Sequence, residues 1–178
     1  MRRPPRQRAP LTRERAWSYT LWLLGRQAYS AAEVERRLLQ RGLSPEDAAA
    51  TVERLQALQL LDDAAYAESY VRARQRSTGP IALRQALRRK GVDDAHVASA
   101  LVEAGSDDLV ATAQALLERN TWRFSAVADP DLAVAQRAAR RALAFLARRG
   151  FAPDSAHEAF ERWRDGLLDG LAEASHDG

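Results

Sequence analysis

The sequence predicts an all-α protein: three tandem three-helix repeats forming an elongated, solenoid-like body, straight or curved. Three observations predict it. Alanine is abundant and aromatic residues make up only 7% of the chain, which favours closely packed helices over sheets. Apolar residues recur at helical spacing, as in Tyr66, Ala67, Tyr70 and Val71. One stop signal is written three times, as Gln40-Arg41-Gly42, Arg89-Lys90-Gly91 and Arg148-Arg149-Gly150.

Residues 1–11 read as a basic, proline-bearing flexible tail with Arg2, Arg3, Arg6 and Arg8. The first repeat spans 12–60. Its first helix runs from Thr12 to about Ala28, with Ala16, Tyr19 and Leu23 on one side and Trp22 flanking them. Ser30 with Glu33 three residues on is a capping box and starts the second helix, which Gly42 stops. Ser44-Pro45-Glu46-Asp47 opens the third, with proline at the first helical position. The second repeat, 61–105, follows the same plan: Asp63–Arg76, Pro80–Lys90 and Asp93–Ala104. The third, 106–168, gives Asp107–Arg119, Pro130–Arg149 and Pro153–Leu168. Residues 169–178 read as a small, polar, flexible tail.

The repeats align on their glycines. Four residues before each stand Leu38, Leu87 and Leu146; just after come Leu43, Val92 and Phe151; ten after come Val52, Leu101 and Phe160. The glycines lie 49 and 59 residues apart, so the third repeat holds an insertion near 121–130, TWRFSAVADP. A unit near fifty residues buries too little surface alone, and stacked neighbours supply the rest.

Charge alternates in blocks. Arg72 to Lys90 holds seven basic residues and no acid: Arg72, Arg74, Arg76, Arg84, Arg88, Arg89 and Lys90. Asp93 to Glu118 holds six acids and no lysine or arginine. Arg137, Arg140, Arg141, Arg148 and Arg149 form a second basic run. Such runs suit a phosphate backbone or an acidic protein groove. Helix electrostatics explains part of them, since basic residues before a stop and aspartates at the next start complement the helix dipole. It explains Arg72, Arg74 and Arg76 least, because RARQR does not lie on one helical face.

Other chemistry is sparse. The chain has no cysteine, so it has no disulfide framework and no thiolate metal site. Asp62-Asp63, Asp93-Asp94 and Asp107-Asp108 each sit at a helix start, where capping is the ordinary role. His96, His157 and His176 show no ligand spacing, and no phosphate loop or nucleophile–histidine motif stands out. Neither a catalytic residue, a metal nor a cofactor is expected. Tyr66 and Tyr70 fit core packing or base stacking; Trp122 and Phe124, beside Arg123, fit an interface anchor or a pin for the insertion. No run reaches membrane-span length and the N-terminus lacks the apolar core of a secretory signal, which fits a cytoplasmic protein.

The block Leu61-Asp62-Asp63, Tyr66-Ala67, Tyr70-Val71-Arg72-Arg74, Gly79, Leu87 and Lys90-Gly91-Val92 resembles the RecX family of RecA regulators. Tyr29-Ser30, Glu33, Leu38 and Arg41-Gly42 extend the resemblance upstream, and it reaches more weakly to about Trp163. Tyr66 stands where the family pattern more often has phenylalanine. The resemblance implies a non-enzymatic regulator, mainly an inhibitor, that binds the groove of a RecA filament on single-stranded DNA. It implies restraint of the filament's ATPase, strand exchange and co-protease activities. The contacts expected are Arg72, Arg74, Arg76, Arg84, Arg88, Arg89 and Lys90, with the 137–149 run as a secondary surface. Single- or double-stranded DNA is a secondary partner, and the chain is expected to act as a monomer. The alternative is a stand-alone helical protein that binds nucleic acid without sequence specificity.

Overall fold

The three stop signals fold into the same turn. Gly42, Gly91 and Gly150 have φ of 81°, 80° and 83°, a left-handed conformation that glycine adopts without penalty. In each turn the glycine N–H donates to the carbonyl three residues back, at 2.9 Å. The next N–H reaches five residues back, from Leu43 to Leu38, Val92 to Leu87 and Phe151 to Leu146, at 3.2 Å each time. This is the Schellman pattern, and its usual apolar contact is present, because all six of those side chains are buried.

The computed structural model describes residues 11–105 and 109–176, and among these every regular element is helical. Residues 1–10 of the basic tail expected over 1–11, and the pair Asp107-Asp108, lie outside the described residues. Leu11 belongs with the core instead of that tail: it is buried, and its N–H donates to the Arg41 carbonyl at 3.0 Å.

The helices are α1 (Arg13–Leu24), α2 (Ala31–Gln40), α3 (Pro45–Ala57), α4 (Asp63–Arg74), α5 (Pro80–Arg89) and α6 (Asp94–Glu103). Then come α7 (Leu109–Glu118), α8 (Thr121–Phe124), a 3₁₀ turn (Ser125–Ala128), α9 (Leu132–Arg148) and α10 (Pro153–His176). The caps are those the sequence writes. Ser30 accepts from Glu33 N–H while Glu33 accepts from Ser30 N–H, closing the capping box at α2. Ser44 accepts from Asp47 N–H at α3, with Pro45 in the first turn. Asp131 caps α9 on Ala133 and Val134 N–H. Helix α10 continues eight residues past Leu168, through the segment expected to be a flexible tail.

The chain divides into two compact units. One comprises the described residues up to Ser69 with Leu87–Ala100; the other comprises Tyr70–Ala86 with the described residues from Leu101 onward. The division passes through α4, α5 and α6, so the units do not coincide with the sequence repeats. In the first unit Ala16, Val34, Leu38, Ala48 and Leu55 are fully buried at the centre of the core. In the second, Leu117, Ala138, Ala142, Leu146 and Ala159 play that part, beside an aromatic group from the insertion and α10. Phe124 lies 5.4 Å from Phe145 and edge-on to Trp163, whose indole N–H donates to Thr121. The insertion is therefore pinned to the core by Phe124 and Val127, while Trp122, two residues away, is 79% exposed.

Candidate functional site: one neutralised and one uncompensated junction turn

Each unit contains one place where the start of a repeat's second helix abuts the end of the next repeat's second helix. In the first unit Ser30 Oγ donates to the Lys90 carbonyl at 2.6 Å. In the second, Gly79 N–H donates to the Arg149 carbonyl at 2.7 Å, and Ile81 N–H to the Gly150 carbonyl at 3.2 Å. Carbonyls that a helix end leaves orphaned are thus satisfied by the neighbouring repeat. The approach is close. A Cβ on Gly91 would lie 2.4 Å from Ala32 Cβ, and one on Gly150 would lie 2.3 Å from Ala82 N.

Counted from their glycines, Ser30 matches Gly79, Glu33 matches Ala82, and Lys90 matches Arg149. That comparison separates the two junctions. In the first, Lys90 Nζ meets Glu33 Oε1 at 2.7 Å, and Tyr66 donates its hydroxyl to Glu33 Oε2 at 3.2 Å. Asp63 accepts from Ala31 N–H at 2.8 Å. Burial alone would raise the Glu33 carboxyl. The hydrogen bonds from Lys90, the Ser30 N–H and Tyr66 outweigh it and hold Glu33 below the usual carboxylate range. Burial likewise acts to lower the Lys90 ammonium, but Glu33 and Tyr66 hold it above its ordinary value. The hydroxyl that distinguishes Tyr66 from a phenylalanine therefore works in this lock.

The pair stabilises within a definable pH window. Glu33, depressed, contributes above the unfolded carboxylate value near ~4.3 and stops contributing as pH falls through its lower folded value. Lys90, raised, contributes below the unfolded value near ~10.4, and that is lost as pH rises through its higher folded value. Glu33→Gln is expected to cost about 1–2 kcal/mol at pH 7 in urea unfolding. The gap from wild type should close as the pH drops below about 4. A gap that stays constant from pH 7 to 3 would exclude this ion pair as its source.

The second junction has no such compensation, because alanine occupies the position of Glu33. Arg149 Nη1 donates to the Ser77 carbonyl at 3.0 Å, and its guanidinium lies 5.0 Å from the Phe145 ring centre. Arg119 Nη2 donates to the Arg76 carbonyl at 3.2 Å. Arg123 stands 5.5 Å from the same Phe145 ring. Arg119 and Arg149, just past the ends of α7 and α9, thus both hold the turn after α4, and Arg123 of α8 shares the Phe145 ring with Arg149. Among the described residues none of Arg76, Arg119, Arg123 and Arg149 is in an ion pair with a carboxylate. Positive charge held together without a counterion raises the local potential for an anionic partner.

The structure disposes of the sequence-predicted contacts in different ways. Arg72, Arg74, Arg76 and Arg84 are exposed in the second unit, with Arg74 stacked over Tyr70 at 4.0 Å. Arg88 and Arg89 are exposed in the first, but Arg88 is engaged by Asp94 at 2.5 and 2.7 Å, and Lys90 is held by Glu33. On α9, Arg137, Arg141 and Arg148 share one exposed face, Arg140 is exposed beside it, and Arg149 falls in the buried arc with Phe145 and Ala142. The junction in the second unit therefore brings the two basic runs together, Arg76 from one and Arg149 from the other. Arg119 was not singled out by the sequence reading, and Arg123 only as a companion of the insertion's aromatics. A signal for Arg119 existed: it is the first basic residue after an acidic block and ends a helix.

Asp62 and Asp93 act as local caps. Asp62 accepts from Ala65 N–H and Asp93 from Ala95 N–H. Among the described residues no group of histidine and carboxylate side chains is placed to hold a metal, and no helix is long and apolar enough to cross a membrane.

Two family models match the chain: the first three-helix domain of RecX over residues 16–55 and the second over 62–101. Regulatory protein RecX of Stenotrophomonas maltophilia strain R551-3 is 37% identical over 159 residues, covering 89% of each chain. The chain belongs to the RecX family. Regulatory protein RecX of Mycolicibacterium vanbaalenii is 38% identical over 143 residues, covering 78% of this chain and 76% of that one. A crystal structure of a regulatory protein RecX is similar at a TM-score of 0.70 and 25% identity, over 86% of this chain and 71% of that one. RecX from Lactobacillus salivarius shares the fold, with a TM-score of 0.72 over 85% of this chain. The ion-paired lock formed by Ser30, Glu33, Tyr66 and Lys90 falls inside the two matched RecX domains. The uncompensated cluster draws Arg119, Arg123 and Arg149 from beyond them.

Proposed function

We propose that this RecX chain is a non-enzymatic, mainly inhibitory regulator of the RecA recombinase. In this reading it binds as a monomer in the groove of the RecA–single-stranded DNA filament, in the cytoplasm, and restrains ATP hydrolysis, strand exchange and co-protease activity. The family supplies the regulatory role. The observation that supports a charged polymer as partner is the arginine junction of the second unit, which lacks the carboxylate that neutralises its counterpart in the first. Exposed contact residues in the second unit are Arg72, Arg74, Arg76 and Arg84, with Arg119 added and Arg137, Arg140, Arg141 and Arg148 as a second surface. Arg88 and Arg89 contribute from the first unit, and Arg149 holds the turn in place. Lys90 acts through the lock with Glu33, not by direct contact.

The test is a titration into a RecA–single-strand ATPase assay, beside binding to bare DNA at two salt concentrations. ATP hydrolysis is expected to fall at concentrations below those needed to bind the bare strand. Unchanged hydrolysis at saturating protein, with bare-DNA binding that weakens steeply with salt, would instead establish a stand-alone nucleic-acid binder.

A further inference from the structure

A second concentration of arginine lies in the first unit, made of side chains that the junction contacts do not use. Helix α1 and the turn after it present Tyr19, Trp22 and Arg26 at positions i, i+3 and i+7, and α2 with its C-terminal cap presents Arg37 and Arg41 at i and i+4. With Tyr29 between the helices they line a cavity of about 520 Å³, within the range of small-ligand sites. No carboxylate lines it. Tyr19 and Trp22 are near-parallel, with planes 21° apart and ring centres 6.1 Å apart. Each guanidinium lies against an aromatic ring: Arg26 at 5.0 Å from Trp22, Arg37 at 4.6 Å from Tyr29 and Arg41 at 4.9 Å from Tyr19.

This composition is not that of a core. Trp22 is 55% exposed, so a large apolar ring faces water beside three cations. Arg41 Nε is buried and, among the described residues, has no hydrogen-bond partner. A buried donor without an acceptor is unfavourable unless an occupant supplies one. Aromatic faces flanked by arginine forks suit one ligand chemistry above others: a planar base joined to a phosphate. An acidic peptide would use the guanidiniums but leave the exposed indole face unoccupied.

We infer that this cavity binds single-stranded nucleic acid, with a base stacking on Trp22 and the adjoining phosphates held by Arg26, Arg37 and Arg41. Arg26 lies over one face of the indole. An arriving base takes that face, and the displaced guanidinium turns to the phosphate. The site goes beyond the regulatory reading, because it needs a strand and no recombinase.

The experiment is fluorescence anisotropy with the full chain and a fluorescein-labelled oligothymidylate at low salt, without RecA. Trp22→Ala is expected to weaken binding roughly tenfold, and Trp22→Phe to retain most of it. Trp122→Ala, at the exposed tryptophan of the second unit, should leave it unchanged. The double variant Arg26→Ala, Arg37→Ala should bind more weakly and make the log–log salt slope shallower by about 1.4, two phosphate contacts on a single strand. Oligothymidylate binding by Trp22→Ala and by the arginine double variant equal to wild type would overturn the proposal, whatever becomes of RecA inhibition. So would a poly-glutamate peptide that binds in a Trp22-dependent manner while the oligonucleotide does not, since the cavity would then be a protein-docking site.

Discussion

Gly150→Ala is expected to destabilise the second unit by about 2–5 kcal/mol, read from urea unfolding followed by circular dichroism. Two costs add. An alanine held at φ +83° is in the left-handed region, at about 1–2 kcal/mol. Its Cβ would also lie 2.3 Å from Ala82 N and 2.4 Å from Ala82 Cβ, and relieving that contact by backbone movement costs about 1–3 kcal/mol. Neither neighbour is the end of a flexible side chain, so the start of α5 would have to withdraw. Withdrawal would loosen the hydrogen bonds from Gly79 and Ile81 to the Arg149 and Gly150 carbonyls. The same substitution at Gly166 should have the opposite sign. That glycine lies within α10 with nothing within 4 Å of its would-be Cβ, so alanine there should stabilise by about 0.5–1 kcal/mol. A Gly150→Ala protein as stable as wild type would mean that the junction is not closed in solution.

The features legible in the sequence are those specified locally. The capping box at Ser30, the proline start at Pro45 and the three glycine stops each depend on residues within one turn, so a linear reading recovers them. The aligned columns also held where they reported the turn itself: Leu38, Leu87 and Leu146 are all fully buried. The column ten residues after each glycine is weaker, since Leu101 is only half-buried where Val52 and Phe160 are buried. Ends without a stop signal were less legible. Gly166 and Gly170 look like breakers, yet each costs a helix only about 1 kcal/mol, and Leu167 packs on the core from the same turn.

Charge was legible as a run but not as a site. Lys90 and Arg149 occupy the same column, and nothing local distinguishes them. The distinction lies 57 residues away from Lys90, in the carboxylate of Glu33, and 67 residues away from Arg149, in the bare methyl of Ala82. Pairing at that range is set by how the turns abut, which composition does not report. The aromatics of the insertion show the same limit. Trp122 and Phe124 are equivalent as letters, but they sit two residues apart on a short helix and so face different directions, one toward solvent and one into the core.

Reversing Arg72, Arg74 and Arg76 together to glutamate is expected to weaken inhibition of the RecA–single-strand ATPase about a hundredfold, with the fold retained. The three side chains are exposed in the second unit, and the fold asks little of them. The Arg76 group that Arg119 grips is its backbone carbonyl, which any residue provides. Arg74 stacks on Tyr70, an exposed contact worth about 0.5–1 kcal/mol. Each reversal replaces an attraction to the partner by a repulsion, about 1 kcal/mol per site at a solvated rim, and about 3 kcal/mol in all is two powers of ten. The loss should shrink as salt rises, because exposed charges are screened over roughly 10 Å at 0.1 M. Lys90→Glu provides the contrast. It sets a second carboxylate against Glu33 in a half-buried lock, so it should lower the unfolding midpoint first and inhibition only as a consequence. If the triple variant unfolds like wild type and inhibits like wild type, the cluster is a solvated helix end and the partner surface lies elsewhere.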